Sequence, residues 1–244
     1  MSGGSGHRVQ SRSLGWKVYL VLSVFLICVL LALTLGAFDV GVLSLLSGEA
    51  SSVQEKVLIN IRLPRVLLAA LVGASLALSG AALQGLFRNP LADPGLIGVS
   101  SGAALGAIFM IVLGGFVNMP ESIAPYSVSI AAIFGAAAVT GLLFAIANGG
   151  RRLAIVTVLL VGIAINALAG VGIGFFQYIS DDSQLRTLTF WMMGSLGRAD
   201  WTSLVPGSVL MLIGFCLLIQ THRSLDLLQL GEPEAEFMGV DVAY

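Results

Sequence analysis

The chain has 244 residues, of which 57% are hydrophobic and 10% charged, where a soluble domain carries roughly 25% charged residues. That composition excludes a soluble globule, and 30 glycines suit helices that pack closely in a bilayer. A formal charge of −1 leaves no basic field to gather nucleic acid.

Six stretches free of Asp, Glu, Lys and Arg are long enough to cross a hydrocarbon core of roughly 30 Å as helices: Val18–Phe38, Val66–Phe87, Gly95–Pro120, Ser122–Gly150, Leu153–Ser180 and Trp201–Thr221. Lipid cannot satisfy backbone polar groups, and these runs show no strict alternation, so helices are expected rather than barrel strands. The predicted class is all-α and polytopic, a single membrane domain with a cytoplasmic tail over 1–17, six spans over 18–221 and an inner segment over 222–244.

The first run follows His7, Arg8, Arg12 and Lys17 as a signal peptide would, but its apolar stretch exceeds the usual 7–15 residues of a cleaved segment. With the N-terminus inside, parity places Arg88, Arg151, Arg152 and Arg223 inside as well. Lys56, Arg62, Arg65, Arg186 and Arg198 are left outside, a weak positive-inside bias. The outer arginines therefore need a reason.

Two outer connections, Asp39–Pro64 with the amphipathic stretch Val53–Ile61, and Asp181–Asp200 around Thr189–Gly194, read as surface-lying helices anchored by Trp191 and Trp201. The inner connections are short: Arg88–Pro94 and Gly149–Arg152. After the sixth run, Leu225, Leu227, Leu228 and Leu230 make one apolar stretch. Gly231 stops it and Pro233 opens a second short helix, whose Glu232, Glu234 and Glu236 suit the helix dipole.

Catalytic signals are weak. Gly98-Val99-Ser100-Ser101-Gly102 matches the pattern of a nucleophile elbow, but the only histidines, His7 and His222, lie outside the runs, and no run holds a carboxylate or lysine to act as base. Gly98, Gly102 and Gly106 instead form a smooth stripe for close helix contact. The Gly170–Gly174 repeat has no preceding strand and no following Lys-Ser/Thr, so it reads as packing or a kink. Cys28 and Cys216 lie in apolar runs and behave as small hydrophobes rather than as a metal or disulfide pair. A coupled carrier keeps ionisable groups at mid-membrane; none occurs here, so transport energy would come from outside the chain.

Ile61-Arg62-Leu63-Pro64-Arg65, Gly73, Ser79–Gly85, Arg88-Asn89-Pro90-Leu91-Ala92-Asp93-Pro94-Gly95 and Gly98–Ala103, taken together with Trp191–Leu196 and Leu227–Glu232, closely resemble the FecCD-type permeases. That family supplies the membrane subunits of ABC importers for iron–siderophore complexes, haem and cobalamin. The resemblance implies a homodimer or a pair of close homologues with the path at their interface. It also implies ATPase subunits docked inside, a periplasmic binding protein outside, and a bacterial inner-membrane location. No cofactor and no resident metal are implied.

Carried over residue by residue, Arg62 and Arg65 would dock the binding protein, with phosphate-headgroup anchoring the alternative. Asn89, Leu91, Asn148 and Gly149 would lie at the cytoplasmic gate, with plain turn duty the alternative. Leu227, Leu228, Leu230, Gly231, Glu232, Pro233, Glu234 and Gly239 would belong to the element that couples to the ATPase. Relatives have ten spans, so the domain is expected to be incomplete at Tyr244. Haem or a ferric siderophore is the expected cargo, with cobalamin or an ion-coupled carrier as the alternatives.

Overall fold

The computed structural model describes residues 6–36, 51–147 and 155–240. Among them are α1 (Gly6–Thr34), α2 (Ser52–Val57), α3 (Leu63–Phe87), α4 (Val99–Leu113), α5 (Ser127–Ala147), α6 (Ile155–Ile179), α7 (Asp182–Met193), α8 (Trp201–Leu228) and α9 (Glu232–Phe237). Among the described residues six helical stretches are long and apolar enough to cross a membrane, which agrees with the all-α polytopic reading. The chain divides into two compact units, Met1–Gly73 with Leu196–Met211, and Ala74–Ser195 with Leu212–Tyr244.

Three helix limits differ from the charge-free runs. The stretch around Val53–Ile61 is not a separate surface helix: α2 opens on a capping box at Ser51 and Gln54, and a π-turn over Leu58–Arg62 carries it into α3 without a break. Charges at Glu55, Lys56, Arg62 and Arg65 interrupt the hydropathy but not the helical backbone. The π-turn has a local cause, since Pro64 has no N–H to complete the ordinary i→i−4 ladder.

The third run, Gly95–Pro120, contains only 15 residues of α-helix. Asp93 caps a 3-10 turn over Pro94–Ile97, Gly98 then turns left-handed at φ 87°, and a second 3-10 turn follows at Gly114. At the far end α8 continues past Thr221 to Leu228. Leu225, Leu227 and Leu228 are therefore the last turns of a span helix rather than a helix of their own, because Arg223 and Asp226 end the apolar run without ending the helix.

In the second unit α4 packs chiefly on α5. A Cβ added to Gly102 would sit 2.6 Å from the Gly135 carbonyl oxygen and 2.8 Å from Val139 Cβ, and Gly106 presses in the same way on the Ala131 backbone. With no hydrophobic drive between helices in lipid, this close backbone approach supplies the dispersion contacts that hold the pair. Two apolar clusters flank the crossing. One joins Phe87, Ala92, Ile97, Leu143, Val158 and Ile165; the other joins Ile108 and Val112 to Leu188 of α7.

Candidate functional site

In the first unit Arg62 and Arg65 are used differently. Arg62 is 8% exposed, and its Nη1 donates to the Leu33 and Thr34 carbonyls, each at 2.7 Å. Those are carboxyl-end carbonyls of α1, which lack intrahelical partners and carry the negative end of the helix dipole. Its guanidinium thus bonds to the carboxyl end of α1. Arg65 is exposed and donates from Nη2 to the Gly197 carbonyl at 3.0 Å.

The same corner is tied by Trp201, whose indole N–H donates to the Ile59 carbonyl at 3.0 Å. The π-turn explains why that carbonyl can be reached from outside the helix. Asp200 caps α8, accepting from Ser203 N–H at 2.8 Å and from the Thr202 hydroxyl at 2.7 Å. Hydrogen bonds from the Ser203 and Thr202 side chains and from the Ser203 N–H hold its carboxyl below the ordinary carboxylate range.

In the second unit α3 ends at Phe87 in a turn that normally takes glycine. Asn89 N–H bonds back to the Gln84 carbonyl and Arg88 N–H to that of Gly85. The left-handed residue of this turn is Arg88, at φ 50°. A side chain in that conformation costs roughly 1–2 kcal/mol relative to glycine. The guanidinium reaches Glu232 Oε1 at 3.1 Å, with both side chains 36% exposed. An exposed pair of this kind contributes about 0.2–1 kcal/mol, so it does not by itself account for an arginine at this position.

After Arg88 the backbone is stitched closely. Asn89 Oδ1 accepts from Leu91 N–H at 2.9 Å, and Asp93 Oδ1 accepts from Gly95 N–H at 2.7 Å. Asn166 of α6 donates from Nδ2 to the Gly95 carbonyl at 3.0 Å, while its Oδ1 accepts from the Ser101 hydroxyl. Ser101, the neighbour of the elbow-position Ser100, is thus held in a structural network by the Gly98 carbonyl and Asn166. Leu91, by contrast, is 83% exposed. Asn148 and Gly149 lie outside the described residues.

The coupling element predicted from sequence is made of two parts. Leu227 and Leu228, half-buried, close α8; a Cβ on Gly85 would meet Leu225 and Gln229 across that end at 3.9 Å. Leu230 is exposed, Gly231 (φ 127°) reverses the chain, and Glu232, Pro233 and Glu234 form the first turn of α9. Gly239 (φ 88°) closes α9, with Val240 N–H bonded to the Ala235 carbonyl. Both reversals require φ values that a Cβ disfavours, and both are glycine.

Ala235 is fully buried, whereas Phe237 is 93% exposed with Met238 beside it. Sequence reasoning placed Phe237 and Met238 within the coupling tail Leu225–Gly239 and Arg88 within the inner turn, but singled out none of the three. The first two stand among acidic residues in a helix too short to show periodicity, and a lone basic residue after an apolar run reads as an interfacial charge.

A model of the FecCD transport family matches residues 24–244. The hemin transport system permease protein of Yersinia pestis is 45% identical over 223 residues, covering 89% of this chain and 66% of that protein. A vitamin B12 import system permease protein of Vibrio vulnificus is 40% identical over 229 residues, covering 93% and 66%. A solved structure, described as an inward-facing conformation of a metal-chelate type ABC transporter, aligns with a TM-score of 0.79 at 32% identity. That alignment covers 93% of this chain and 69% of the other. The chain thus spans 66% of the length of each of these two curated relatives.

Proposed function

The chain belongs to the FecCD transport family, and on that footing we propose that it is a membrane-spanning subunit of an ABC importer that moves an iron chelate, haem foremost, across the inner membrane. It makes and breaks no bonds in its cargo. A separate ATPase on the inner side hydrolyses ATP, a binding protein delivers cargo outside, and two permease chains enclose the path.

The observation that carries this reading is α9. A helix of six residues leaves its one large aromatic, Phe237, almost fully exposed beyond the last described span. A hydrophobic side chain standing in water at the rim of a membrane helix is a contact surface for a soluble partner. On the outer side Arg65 is the docking cation, and Arg62, locked on the carboxyl end of α1, positions it. Asn89 and Leu91 form the inner gate. Leu91, the exposed aliphatic side chain of that turn, can close a pore by apolar contact and open it by a small backbone movement.

Haem leads because the hemin permease shares 45% identity with this chain; cobalamin is the second reading, favoured by the 40% identical vitamin B12 permease. The test is growth of an iron-starved strain lacking the gene, supplied with hemin, ferric siderophores or inorganic iron alone. Loss of growth on hemin alone is the expected outcome, and normal growth on every iron source would overturn the iron-chelate reading. Phe237→Ala is expected to reduce co-purification of the ATPase; undiminished association would remove α9 as its dock.

A further inference from the structure

The pairing of Arg88 with Glu232 joins two elements that the proposed function treats separately. We propose that this ion pair is a latch that ties α9 to the turn after α3, so that displacement of α9 is passed to Asn89 and Leu91. Arg88 and Glu232 are then positioning residues for coupling. The inference rests on the reading of α9 as the ATPase dock.

Three observations support it. Glu232 is the first residue of α9, immediately after the Gly231 reversal, so a force on α9 acts on Glu232 with little chain between. Arg88 is the residue before Asn89, and its backbone is fixed by the bonds from Arg88 N–H to Gly85 and from Asn89 N–H to Gln84. Beyond it, the Asn89–Leu91, Asp93–Gly95 and Asn166–Gly95 hydrogen bonds leave no slack between the latch and α6. Movement at Arg88 therefore reaches a span helix through bonded contacts rather than through a loose loop.

The left-handed backbone of Arg88 provides a discriminating variant. If the side chain served only the turn, glycine would serve it better; Arg88→Gly would then keep or raise stability with coupling intact. If the side chain is the latch, Arg88→Gly keeps the turn and loses the link. The partial exposure of both partners lets the pair be re-formed in reverse by Arg88→Glu with Glu232→Arg.

The experiment uses the transporter purified with its own ATPase and binding protein, reconstituted in liposomes and supplied with hemin. Hemin moved per ATP hydrolysed is measured for Arg88→Gly, Glu232→Gln and the charge-swapped double variant, alongside melting temperature. The ratio is expected to fall roughly threefold in each single variant, the factor that an exposed ion pair supports, without a lower melting temperature for Arg88→Gly. The double variant is expected to recover most of it.

An unchanged ratio in Arg88→Gly and Glu232→Gln, or a double variant as impaired as the singles, would overturn the latch. Failure of the underlying reading is seen elsewhere: unmodified transporter would hydrolyse ATP without accumulating hemin, or Phe237→Ala would hold the ATPase normally.

Discussion

The α4–α5 crossing makes the sharpest stability prediction, for Gly102→Ala. The added methyl would start 2.6 Å from the Gly135 carbonyl oxygen and 2.8 Å from Val139 Cβ. Ordinary contacts begin near 3.4 Å, so α5 has to retreat by most of an ångström, and the obstructing atom is backbone that no rotamer change can move. Overpacking of this kind costs about 1–3 kcal/mol, and alanine returns up to ~1 kcal/mol through its better helix propensity. With that return in full the net loss is about 0–2 kcal/mol, which in a chain of this size lowers the melting temperature by up to roughly 8 °C, whereas an alanine that meets nothing keeps the whole gain.

Gly141 lies on the same α5 helix with nothing within 4 Å of an added Cβ, so Gly141→Ala is the internal control and is expected to be neutral or slightly stabilising. Both are compared with the unmodified chain by thermal unfolding in detergent, followed by near-ultraviolet circular dichroism. Equal melting of Gly102→Ala and Gly141→Ala would refute the close-approach argument.

Three further predictions concern the corner formed by Arg62, Arg65 and Asp200. Arg62→Ala removes two charge-assisted hydrogen bonds from a buried site and strands the α1 carbonyls, so it is expected to destabilise by about 2–3 kcal/mol. Arg65→Ala is expected to change stability by less than about 0.5 kcal/mol while weakening binding-protein affinity, measured by surface plasmon resonance at physiological salt. An Arg62→Ala chain that melts normally would refute the division of labour between them. For Asp200, a carboxyl lowered from its ordinary value near 3.8 adds stability that is fully present above that pH and is lost as pH falls through the lower folded value. The melting-temperature advantage over Asp200→Ala should therefore be constant from neutrality to about pH 4 and shrink below it. An advantage that grew on acidification would contradict the cap.

The sixth run shows how far hydropathy reads and where it stops. Its beginning at Trp201 agrees with α8 because Asp200 is both the last charge before the run and the capping residue. Its end does not agree, because Arg223 and Asp226 are compatible with helix although not with lipid. The same distinction accounts for α2, where charges hide a helix that runs on into α3. Glycine spacing showed that Gly98, Gly102 and Gly106 share a stripe; which helix lies against it is a long-range fact, and Gly135 of α5 could not be named from spacing.

The sequence by itself determined the class and the number of candidate spans, since both depend on transfer of local segments from water to lipid. Only the tertiary structure decided what the charged and polar side chains do. Arg62 and Arg65 are three residues apart and chemically identical, yet one is buried on α1 and the other is exposed beside Gly197. Arg88 and Glu232 stand 144 residues apart and meet. A side chain's partner is set by which distant backbone comes within hydrogen-bond reach, and no local pattern encodes that.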